Sequence, residues 1–120
     1  MQYSFSKKWT LKARELAEKL NIKYPHRISC IFSKGSKAKR TIARLHALDK
    51  ALQCGMQQNA YYVIELISEK FNKLSNEEKL KTILHELLHI PKNFGGGFRH
   101  HDFVTNRRVE KIYRELSSEI

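Results

Sequence analysis

His85-Glu86-Leu87-Leu88-His89 is an HExxH motif. Residues four apart on a helix differ by about 40° in azimuth and one turn in height, so both imidazoles face one side and can grip a single ion. Glu86 lies about 100° round the same helix, beside that ion and outside its ligand set. There it can accept a proton from a metal-bound water. Two neutral imidazoles leave room for a third ligand and a water, the open geometry of catalytic zinc. Downstream, Gly95, Gly96 and Gly97 precede His100-His101-Asp102. The glycines give the chain freedom to fold back and bring a third imidazole, from His100 or His101, to the pair. The chemistry this predicts is metal-assisted hydrolysis.

The elements that must position these residues are readable around them. Ser75 and Glu78 form a capping box, with Leu80, Ile83, Leu84, Leu87 and Leu88 following at helical spacing. Pro91 ends that helix, because the residue before a proline is pushed out of the α region. Trp9, Ala13, Leu16, Ala17 and Leu20 outline an earlier amphipathic helix, and Phe103, Val109, Ile112, Tyr113 and Leu116 a last one. Arg27–Ser33 reads as a strand, and Thr41–Ala47 as a weaker one pairing with it as a hairpin across the Gly35-Ser36 turn. Leu48–Cys54 reads as a short helix closed by Gly55. Tyr61–Ser68, rich in β-branched and aromatic residues, is the strongest strand. The order predicts an α+β fold: a small mixed or antiparallel sheet packed against the HExxH helix and further helices.

The 120 residues, 41% hydrophobic and 29% charged, suit one domain over 1–120 and exclude a repeat array or a disordered chain. No apolar run is long enough to span a bilayer, and no apolar stretch follows the early lysines as in a secretory signal, so the expected location is the cytoplasm. Cys30 and Cys54 lack metal-site or disulfide spacing and read as small buried hydrophobes. The charge is uneven. Residues 1–50 hold 13 cations and 3 acids, a balance of +10, whereas residues 51–120 hold 10 and 9, a balance of +1. The basic stretch over residues 1–50 thus separates from the metal-site stretch over residues 75–116. Lys34, Lys37, Lys39 and Arg40 form its densest cluster, a candidate nucleic-acid face.

HELLHIPKNF-GGGFRHHD, preceded by YYVIELISEKFNKLSNEEK and followed by VTNRRVEKIYREL, resembles a metallopeptidase family of archaea and phages, minimal zincins related to the SprT-like group. The resemblance covers residues 28–116. It implies a zincin-like fold, a Zn²⁺ cofactor, and hydrolysis of a peptide or protein substrate with Glu86 as general base. Where the family has Arg-Pro-His-Asp, this chain has Arg99-His100-His101-Asp102, so the third ligand falls on His101, with His100 in the proline position and as the alternative ligand. The zincin reading gives Arg99 and His100 a place beside the oxyanion. It gives Asp102 either a bond to a ligand imidazole or the cap of the last helix. An edge strand would align an extended peptide; Tyr61–Ser68 is either that strand or a central core strand. His26 and His46 lie outside any ligand spacing and read as structural or exposed. Two readings compete: a nucleic-acid-associated zinc protein, and a metal-dependent ribonuclease with a three-histidine site. The Glu after the first His and the long gap between His89 and His101 favour the peptidase.

Overall fold

The apolar run Tyr62–Ile67 forms an interior strand because neighbours occupy both of its edges. The computed structural model describes residues 1–100 and 102–118. Its strands are β1 (Gln2–Phe5), β2 (Ile28–Lys34), β3 (Ala43–Ala47) and β4 (Tyr62–Ile67), in spatial order β1-β2-β4-β3. β4 runs parallel to β2 and antiparallel to β3, and β1 is antiparallel to β2, so the sheet is mixed. Alternation along β4 sends Tyr62, Ile64 and Leu66 into the core and Val63, Glu65 and Ile67 to the opposite face.

Helices cover the first of these faces. In α1 (Lys7–Lys19), Ser6 caps the N-terminus by accepting from the Trp9 amide at 3.2 Å. Trp9, Ala13, Leu16 and Ala17 then bury against β2. The short α3 (Ser68–Phe71) puts Phe71 edge-on to Trp9, with centroids 5.3 Å apart, and close to Phe32. α4 (Asn76–Leu88) packs on α1 and β3, and α5 (Asn106–Ser117) packs on α4. A short α2 (Lys50–Met56) and a 3₁₀ turn at Pro25–Arg27 complete the elements.

Several expectations change here. Thr41–Ala47 does not pair with the first strand as a hairpin, because β4 lies between β2 and β3. The strand buried at every position but Val63 takes the interior place, and the connection Gly35–Ile42 crosses its end. Tyr61–Ser68 is therefore no edge; that position on the α4 side belongs to β3. Gly55 lies inside α2, which Gln57 closes in a left-handed conformation, φ 53°. β1 carries no sequence signal, being four residues long and exposed throughout. Cys30 is buried, and burial pushes its thiol up to about 12, whereas Cys54 is exposed rather than buried. No helix among the described residues is long and apolar enough to cross a membrane.

Candidate metal centre

α4 starts where Ser75 accepts from the Glu78 amide at 3.2 Å, and Glu77 and Glu78 place negative charge in its first turn. The Glu78 carboxyl bonds the Ser75 hydroxyl, also at 3.2 Å, so the box closes side chain to side chain. Ile83, Leu84, Leu87 and Leu88 bury one stripe of the helix. That anchoring turns the last turn of α4 toward β3. His85 lies in this turn and His89 is the residue that caps the helix, their ring centroids 5.1 Å apart.

The chain after α4 folds back over His89. The Arg99 amide donates to the His89 carbonyl at 2.7 Å, and the Arg99 carbonyl lies 3.0 Å from His89 Nδ1. A carbonyl only accepts, so Nδ1 carries the proton and the neutral ring keeps its lone pair on Nε2. This is the arrangement by which an outer hydrogen bond fixes the tautomer of a metal-ligating histidine. The two imidazoles thus fit an ion by donor type and spacing, and His89 by tautomer as well. His100 is exposed and lines the cleft beside His89, while His101 lies outside the described residues. Among the described residues no group of three or more His, Cys, Asp or Glu side chains gathers closely enough to hold an ion.

Glu86 is 8% exposed, and burial pushes its carboxyl up to about 7. A cation beside it would favour the carboxylate and draw that value down. Glu86 lines two cavities, which together make a cleft of two lobes. One lobe, about 490 Å³, runs past Arg40, Ile42, Ala43 and His85 toward α5. The other, about 550 Å³, is bounded by Leu45, His89, Phe98, Arg99 and His100. β3 forms one wall of both.

A family model with the description "Putative phage metallopeptidase" matches residues 5–119. The chain belongs to this metallopeptidase family. No curated protein and no solved structure matches the chain. Family membership points to a metal cofactor and to peptide hydrolysis as the class of chemistry, on the chain whose paired histidines stand as described.

The other residues singled out in this family member are scattered. The Arg99 guanidinium lies 4.1 Å from the Phe103 ring centroid, as does that of Arg108. Asp102 is exposed and does not cap α5; Thr105 does, accepting from the Arg108 amide at 3.1 Å. Thr105 stands directly before the first helical residue, where a capping oxygen reaches the third amide, and Asp102 is three residues too early. Lys34, Lys37, Lys39 and Arg40 are all exposed, and of these Arg40 lines the cleft with His85 and Glu86. His26 is exposed, and His46 lies on the sheet face away from α4, 2.7 Å from Glu65 Oε1.

The glycine loop is held rather than loose. Gly96 donates to the Tyr62 hydroxyl at 3.0 Å, that hydroxyl donates to the Gly97 carbonyl at 2.7 Å, and the Gln53 amide donates to the Gly95 carbonyl at 3.0 Å. Gly96 has φ +105°, and a Cβ there would meet Gln53 Nε2 at 2.6 Å and the Leu48 carbonyl at 2.7 Å. Glycine is needed for close approach and a left-handed backbone, not for hinge freedom. Nothing in the sequence singles out Tyr62 or Gln53 for this task. A buried tyrosine in a core strand signals a hydroxyl needing a partner, but not which loop supplies it.

Proposed function

We propose that this chain is a zinc-dependent peptidase in which His85 and His89 hold the ion with a third imidazole from His101, or His100 in its place. A bound divalent ion there supplies the Lewis acidity that activates water and polarises a carbonyl near neutral pH. Glu86, in this reading, takes the proton of the attacking water and returns it to the leaving amine. The observation that supports the proposal is that Glu86 lines one cavity with His85 and Ala43 and another with His89 and Leu45, so that the motif residues and β3 border the same space.

β3 supplies the means of holding a peptide. Ile67 donates to the Ile42 carbonyl and Leu48 to the Tyr61 carbonyl, so alternate residues from Ile42 to Leu48 bond inward to β4. The amides and carbonyls of Ala43, Leu45 and Ala47 consequently point away from β4, at the edge that borders the cleft. An extended peptide added there would lie along both lobes with its scissile bond above Glu86. The His89–Arg99 pairing keeps one ligand ring in place as substrate enters.

Glu86→Gln tests this directly. The variant retains wild-type metal content because the histidines are untouched, and its hydrolysis of an unfolded protein falls by about 100-fold or more, on the order of a lost general base. Wild-type turnover in the Glu86→Gln protein would overturn the assignment.

A further inference from the structure

We propose that the sheet face opposite the helices binds single-stranded nucleic acid, bases stacking on Tyr3 and Phe5 and phosphates meeting the cationic connection between β2 and β3. Register fixes the orientation. Ser4 pairs with Phe32, whose ring packs on Phe71 in the helix layer. Tyr3 and Phe5 pair with Ser33 and Ile31, and so emerge on the other face. They are 61% and 64% exposed, the most exposed aromatic side chains among the described residues. Two exposed rings two residues apart on an edge strand form the kind of platform on which unpaired bases stack.

The rest of the face suits the same ligand. Phe5, Ile31, Glu65 and Arg44 form one row across all four strands. At the far edge, His46 and Tyr61 border a cavity of about 440 Å³ to which Gln58 and Asn59 contribute amides, groups that match base edges. Glu65 lies in this row, and its carboxylate is taken up by Ser33 at 2.7 Å and His46 at 2.7 Å.

Charge selects the partner. From Ile28 to Leu48 the sequence has five cationic side chains, Lys34, Lys37, Lys39, Arg40 and Arg44, and no acid. The connection that carries most of them is pinned. The Gly35 amide donates to Glu69 at 2.8 Å, Arg44 reaches the Ser36 hydroxyl at 3.5 Å, and Lys70 bonds the Ala38 carbonyl. A duplex would satisfy the cations but offers no open base faces to Tyr3 and Phe5, so the ligand is single-stranded. Arg40 borders the cleft instead, but Tyr3 and Phe5 lie across the sheet from the metal centre, so the inference stands independently of the peptidase reading.

Anisotropy of fluorescein-labelled oligo-U and oligo-dT, each about 12 nucleotides long, tests it in roughly 20 to 200 mM KCl. The wild-type chain binds at least one of them, and the pair of probes distinguishes RNA from DNA as the source. Tyr3→Ala/Phe5→Ala weakens binding roughly 10-fold or more, whereas Tyr3→Phe/Phe5→Tyr keeps it within about 2-fold. Lys37→Glu/Lys39→Glu makes the salt dependence shallower, by about 0.7 in log–log slope per lost phosphate contact. Leu11→Ala, an exposed apolar residue of α1, and His85→Ala leave binding unchanged. The proposal is overturned if neither probe binds at the lowest salt, if the double alanine variant binds like wild type, or if duplex binds equally well. It is overturned too if the face instead pairs two copies, seen as a dimer that Tyr3→Ala/Phe5→Ala dissociates.

Discussion

At the scale of single residues, the histidine pair shows how much a backbone carbonyl decides. The spacing of His85 and His89 was legible in the sequence; the tautomer of His89 was not, because its partner is the main chain of Arg99, ten residues on. Glu65 is a second buried carboxylate that no motif marks. Burial alone would raise its pKa, but the bonds from Ser33 and His46, with Arg44 nearby, outweigh it and hold the carboxyl below the ordinary value. A depressed folded value means stability that is present above the unfolded pKa and lost as pH falls through the folded one. Glu65→Gln should therefore cost about 2 kcal/mol at pH 7, as expected for losing hydrogen bonds to a charged group. The gap between variant and wild type should narrow below about pH 4, where the unfolded carboxyl protonates. Urea unfolding of both proteins from about pH 7 to 3 measures it, and a gap constant with pH would contradict the assignment.

At the scale of elements, the sequence located the helix that carries the motif and the strand at the centre of the core, since each has strong local signals. Ser75 with Glu78 and the apolar stripe to Leu88 mark α4; the unbroken run of β-formers marks β4. Strand order was hidden, because the parallel pairing of β2 with β4 rests on contacts remote in sequence. That is why local signals alone leave β4 open as either the peptide-aligning edge or an interior strand, when β3 occupies the edge. The outward main chain of β3 yields a prediction at this scale. Ala43→Pro removes an amide that points away from β4, a position an edge strand tolerates. The variant should fold and keep its metal, while kcat/KM on peptides falls about 5- to 10-fold, the worth of one hydrogen bond. Peptide kinetics beside circular dichroism check this; unchanged kcat/KM with an intact fold would remove β3 from substrate alignment.

Across the whole molecule, two surfaces lie on opposite sides of one sheet. The helix side holds the cleft around Glu86, and the other carries Tyr3, Phe5 and, in the row of Glu65, Arg44. The charge asymmetry was visible in composition alone, but the placement of its densest cluster was not, since the connection Gly35–Ile42 is tied down by residues remote in sequence, Glu69, Lys70 and Ile67, as well as by Arg44. The α+β class and the family were both legible, the first from element order and the second from the HELLHIP and Arg-His-His-Asp segments. The central claim is that one divalent ion is held by His85, His89 and a histidine of the returning segment. Zinc stoichiometry after equilibrium dialysis, measured for wild type, His85→Ala, His89→Ala, His100→Ala and His101→Ala, tests it most directly. The account predicts about one zinc per wild-type chain, near-complete loss in His85→Ala and His89→Ala, and loss in one of the two distal variants. Full zinc occupancy in His85→Ala and His89→Ala would contradict it.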